Sequence, residues 1–160
     1  MAEAGTATVY LQTVTLLGLL LGGVSADKLY GRTKAARSWL VCLGLFLAAP
    51  CMHLIANAES LSFTKLAAVR LGIGSGVFMA NIVVSAFEVV PSDTRASAVG
   101  GLNLIGAFVS GFAALLGGMS KGTLGIHGLM TYGAVACLGA AVLLAMGIRI
   151  YFQKDCDRVH

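Results

Sequence analysis

Charge is scarce in this chain: Asp, Glu, Lys and Arg make up 11% of its 160 residues, against roughly a quarter in a soluble domain. That shortage excludes an ordinary water-exposed globule, and the mean hydropathy of +0.87 points the same way. Proline occurs twice, as Pro50 and Pro91, so there is no Pro-rich linker. The four cysteines (Cys42, Cys51, Cys137 and Cys156) include no Cys-x-x-Cys pair, and they read as small apolar residues packed between helices. His53, His127 and His160 are scattered, so neither a zinc site nor a nucleophile with its base assembles from neighbouring residues. The basic residues, net charge +4, are not interleaved with aromatics on one face, which excludes a nucleic-acid partner. No paired carboxylates or Ser/His/Asp set converge within the apolar segments, so no enzyme chemistry and no cofactor are expected.

What the chain does have is apolar length. Hydrophobic residues make up 58% of it, with 21 glycines. A helix needs about 20 mostly apolar residues to cross a bilayer core, and five segments qualify, over about 9–26, 39–56, 66–90, 96–118 and 129–152. The predicted fold is therefore all-α, a polytopic membrane protein with five transmembrane helices in a single membrane domain, 1–160, with the lipid bilayer as its first partner. The N-terminal segment lacks a basic leader and ends in Asp27-Lys28 rather than a small-residue cleavage site, so it reads as a retained helix. Lys28, Arg32, Lys34, Arg37, Arg95, Arg149, Lys154 and Arg158 fall on one side, against Lys65, Lys121 and the nearby Arg70 on the other. Short cytoplasmic loops carry the Lys/Arg excess, which puts the N-terminus outside and the C-terminus in the cytoplasm of a cell membrane.

The third segment carries polar residues on one line. At 100° per residue, Arg70, Val77, Asn81 and Glu88 fall within about 20° of one line along the helix. Such residues normally face a bundle interior or a watery cavity; alternatively Arg70 and Glu88 snorkel to the two interfaces and Asn81 bonds a neighbouring helix. Asn103, on one face of the fourth segment with Gly106 and Ser110, is open to the same two readings. Gly72-Ile73-Gly74-Ser75-Gly76 lacks the strand, third glycine and acidic residue of a dinucleotide loop. Gly72 and Gly76 instead have the one-turn spacing of close helix packing, repeated by Gly18 with Gly22, Ala107 with Gly111, and Gly106 with Ser110. Pro50 removes one backbone hydrogen bond from the second segment.

Two charged turns complete the pattern. One runs from Gly23 to Arg37; the other is Glu88-Val-Val-Pro91-Ser-Asp-Thr-Arg95, where Pro91 ends the third helix and Ser92 or Asp93 can cap the fourth. Glu88 and Arg95 with Asp27 or Arg32 form either a switching network or a solvated cluster.

These residues resemble the major facilitator superfamily of secondary transporters. Gly23, Asp27, Lys28, Gly31 and Arg32 match its loop signature between the second and third helices of each half, with one additional residue before Gly31. Glu88, Pro91 and Arg95 match the series joining the fourth and fifth helices. With five segments in matching order, the chain resembles helices eight to twelve of such a carrier. Its Leu-Leu-Gly-Gly-Val-Ser-Ala-Asp-Lys and Phe-Glu-Val-Val-Pro runs look most like spinster-type and related bacterial carriers.

The resemblance implies alternating access of two halves around a site near the bilayer midplane. Asp27, Arg32, Glu88 and Arg95 would form a latch. Arg70, Asn81 and Asn103 would line the cavity for a small-molecule substrate, with Arg70 favouring an anion. It also implies a partial bundle whose partner is a missing N-terminal half, so the expectation is a fragment that does not transport alone. The alternative expectation is a small structural or regulatory membrane subunit without transport activity.

Overall fold

The computed structural model describes the backbone of residues 2–58 and 61–159; the side chains of 2–8, 61–62, 121, 123, 126 and 153–159 lie outside that description. Everything regular among the described residues is helix: α1 (Ala2–Tyr30), α2 (Ala36–Ala56), α3 (Leu61–Phe87) and α4 (Arg95–Val159). α4 is two helices joined end to end across Gly125, whose φ of 62° and ψ of 179° are not helical. That left-handed φ costs an L side chain energy and glycine little, so the turn falls there. Its two arms contain the fourth and fifth of the five helices long and apolar enough to cross a membrane. These are Val9–Tyr30, Ala36–Ala56, Phe63–Phe87, Arg95–Ser120 and His127–Phe152.

The helix ends differ from the sequence expectation where charge had suggested a loop. Asp27 and Lys28 belong to the last turn of α1, and the connection is only 31–35. It closes with Arg32 N–H and Thr33 N–H on the Leu29 carbonyl, at 2.9 and 3.1 Å, which serves a carbonyl that has no helical partner. α3 stops at Phe87 rather than 90, because the residues leading into Pro91 are pushed out of helical geometry. Thr94, not Ser92 or Asp93, opens α4, its carbonyl accepting from Ala98 at 3.0 Å.

α3 lies between α1 and α2, and α2 packs on its other side against α4, giving the order α1, α3, α2, α4. Glycine sets both inner interfaces. A Cβ on Gly18 would fall 2.8 Å from Ile73 Cα, one on Gly22 2.8 Å from Val77 Cα, and one on Gly76 2.6 Å from Leu19 N. The backbones of α1 and α3 are thus in direct contact, as small-residue seams permit. Gly74, about 200° around α3 from Gly72, meets α2 instead: its Cβ would lie 2.9 Å from the Gly44 carbonyl oxygen. Ala26, Leu40 and Val77, one from each helix, close the core against Ile73.

The second arm of α4 is fastened to α2 by polar contacts at two depths. Cys42 Sγ donates to the Ala141 carbonyl at 3.2 Å, and His53 Nδ1 lies 3.1 Å from Thr131 Oγ1. Thr131 spends its own proton on the His127 carbonyl at 2.9 Å, so His53 Nδ1 is the donor. The first arm differs from everything else: no residue of its apolar window is buried. Gly106 and Gly111, expected in a packed seam, would meet nothing within 4 Å of an added Cβ. Leu102 alone from that arm lines the groove beside α2 and α3.

Candidate functional site

The bundle gathers its charge at the end where α1 stops, α2 starts and α3 meets α4. Arg37, in the first turn of α2, bridges two carboxylates: Nη2 reaches Asp27 Oδ1 at 3.2 Å and Nη1 reaches Glu88 Oε1 at 3.5 Å. Its guanidinium also sits 4.9 Å from the centre of the Tyr30 ring, a cation–π distance. Helix dipoles give the bridge its logic. A cation at a helix N-terminus and an anion at a C-terminus are each unfavourable; Arg37 and Asp27 are placed that way and neutralise each other across the 31–35 turn.

Glu88 lies one residue beyond α3 and is buried, whereas the Asp27 side chain is 75% exposed. Burial pushes the Glu88 carboxyl above the ordinary carboxylate range, and the neighbouring Arg37 only partly opposes this. Oε2 is sealed from solvent without a hydrogen-bond partner. Arg95 approaches from the start of α4. Its Nη2 donates to the Phe87 carbonyl at 3.3 Å, and its guanidinium lies 5.6 Å from the Phe87 ring centre. A cation on the last carbonyls of α3 satisfies both an orphan acceptor and the dipole.

Of the residues expected to form a latch, the structure therefore brings Asp27 and Glu88 together through Arg37 and places Arg95 at the end of α3. Lys28, Gly31, Arg32 and Pro91 are exposed around this cluster. Gly23 is helical, with nothing within 4 Å of an added Cβ. Arg37, the hub, carries no role in the loop signature, whose matching residues end at Arg32.

The residues expected to line a cavity do not converge. Asn81 is buried at 1% exposure and donates to the Gly22 carbonyl of α1 at 3.3 Å and to Val77 at 2.9 Å, so its amide serves the glycine seam. Arg70 and Asn103 are exposed, on α3 and on the first arm of α4. A groove of about 610 Å³ is instead mostly apolar, lined by residues such as Val41, Phe78, Ile82 and Leu144, with hydroxyls from Ser38, Ser85 and Tyr151. Asn81→Ala is expected to destabilise the bundle by about 1–2 kcal/mol, the range for an interhelical hydrogen bond in a membrane and a vacated buried site. Unfolding in mixed micelles checks it, and an unchanged stability would return Asn81 to the cavity.

The described residues hold no group of three or more His, Cys, Asp or Glu able to share a metal ion.

No protein-family model, curated protein or solved structure matches this chain.

Proposed function

We propose that this chain is part of a secondary active transporter that moves a small solute across a membrane by alternating access, and that the cluster around Arg37 is a latch for one of its conformations. The observation that carries the reading is the Asp27–Arg37–Glu88 bridge, which ties the ends of three apolar helices through charges placed against their own helix dipoles. A network so arranged holds while the helix ends stay together and is readily exchanged when they part, which is what a rocking bundle requires. Support also comes from the first arm of α4, a span-length apolar helix with no buried residue in its apolar window. It leaves a face on which a second helical bundle, the other half of a carrier, would close. Within this reading the latch faces the cytoplasm, as the Lys/Arg distribution favours, and the superfamily resemblance supplies the transport class. Arg70, exposed on α3, would favour an anionic substrate once the other half closed over it.

Uptake of labelled small organic anions by proteoliposomes tests the proposal. In a carrier containing this chain, Asp27→Asn or Arg95→Ala is expected to lower turnover several-fold while leaving substrate binding within about twofold, since an interaction that differs between states acts on the transition between them. Loss of binding with normal turnover would argue against the latch. Absence of saturable uptake, with the chain co-purifying in fixed ratio with a separate carrier, would favour a structural or regulatory subunit.

A further inference from the structure

We propose that Glu88 Oε2 is a proton-binding site that ties the packing of the charge cluster to the pH of the solvent at that face. Glu88 is the one buried carboxylate among the described side chains. An ionised carboxylate offers about four acceptor positions. Here Oε1 has a single 3.5 Å contact from Arg37, and Oε2 has no partner although it is closed off from water.

The surrounding charges do not make up the shortfall. From α2, Arg37 is shared, its Nη2 held at 3.2 Å by Asp27 at the end of α1. From α4, Arg95 is directed to the Phe87 carbonyl and ring, and its Nε is itself buried without a partner. Asp93, in the turn between, is exposed, as are Lys28, Arg32 and Lys34 around the cluster. One cation thus serves two carboxylates, and the more deeply buried of them has the longer contact. A solvent proton adding to Oε2 gives a neutral carboxylic acid; no bond breaks, and Arg37 remains with Asp27.

The direction in which burial moves Glu88 agrees with this geometry. Because its pKa in the packed cluster lies above the unfolded value, its contribution to packing is fully present below the ordinary glutamate range and is lost as pH rises through the raised pKa. Acidification is then expected to hold the cluster closed, and alkalinisation to loosen it. That this biases transport rests on the latch reading; the titration itself does not.

The test is infrared spectroscopy of the 160-residue chain in lipid nanodiscs, following the protonated-carboxyl C=O band against pH in wild type minus Glu88→Gln. The expected difference band titrates above the range of an exposed glutamate. In Arg37→Gln, which removes the cation but keeps Glu88, it moves higher still. A band at or below the ordinary range, or a downward shift in Arg37→Gln, overturns the proposal. Transport measured separately distinguishes the two ideas: a raised titration without uptake sinks only the carrier reading, whereas uptake with an ordinary Glu88 sinks only the proton site.

Discussion

Gly76→Ala is expected to push α1 and α3 apart and to lower stability by about 3 kcal/mol, at the upper end of the cost of overpacking a tight interior. The new methyl would lie 2.6 Å from both Gly18 C and Leu19 N. Those are backbone atoms of the opposing helix, so no rotamer change relieves the clash, and the seam must open along its length. Opening it also lengthens the 3.3 Å Asn81 to Gly22 hydrogen bond, because the donor and the acceptor sit on the two helices being separated. Gly111→Ala is the control: it adds the same methyl to a helix position with nothing within 4 Å, and a stability change of about 1 kcal/mol or less is expected there, in the stabilising direction. Unfolding of both variants in mixed micelles decides the matter. Equal stability for the two would mean that the glycines are tolerated rather than required.

The five apolar helices were legible in the sequence because hydropathy over a span is a sum, insensitive to where any one side chain points. Their ends moved by only a few residues, and for local reasons: a helix keeps its backbone hydrogen bonds through Asp27 and Lys28 until a turn can replace them, and Pro91 acts on the residues before it. The glycine spacing showed that close packing was available but not which copies would be used. Gly18, Gly22, Gly72 and Gly76 all lie in the seam between α1 and α3, while Gly106 and Gly111 face open space, since four-residue periodicity describes a helix face and says nothing of its neighbour. Gly74, offset by two residues from Gly72 and so turned to the far side of α3, meets Gly44 of α2, a second interface that the one-turn spacing did not mark. Asn81 illustrates the ambiguity of a polar residue in a span: the stripe it shares with Val77 faces the bundle interior, but that interior is the backbone of α1. Arg37 left a physical signal outside any motif, because a cation in the first turn of a helix needs a nearby anion to offset the dipole.

Arg37→Ala is the second large effect expected, a loss of about 2 kcal/mol that is recovered when Glu88 is also made apolar. Removing one partner of a buried pair costs about 3–5 kcal/mol because it strands a charge. Here the Arg37 side chain is 23% exposed against 8% for Glu88, and solvent screening reduces the figure. The Asp27 contact contributes little to it, since that carboxylate is mostly in water, so Asp27→Asn alone should cost under about 0.5 kcal/mol. Arg37→Lys is expected to recover only part of the loss: an ammonium is a point charge, whereas the guanidinium fork places Nη1 and Nη2 on two carboxylates at once. Arg37→Ala with Glu88→Leu is the decisive variant, because it removes the stranded charge and fills its volume. If the cluster only adds stability, the double variant should fall between wild type and Arg37→Ala and leave turnover in a carrier untouched. If it is a latch, stability returns while turnover does not, because a hydrophobic replacement packs in the closed arrangement but has no charge to exchange when the helix ends part.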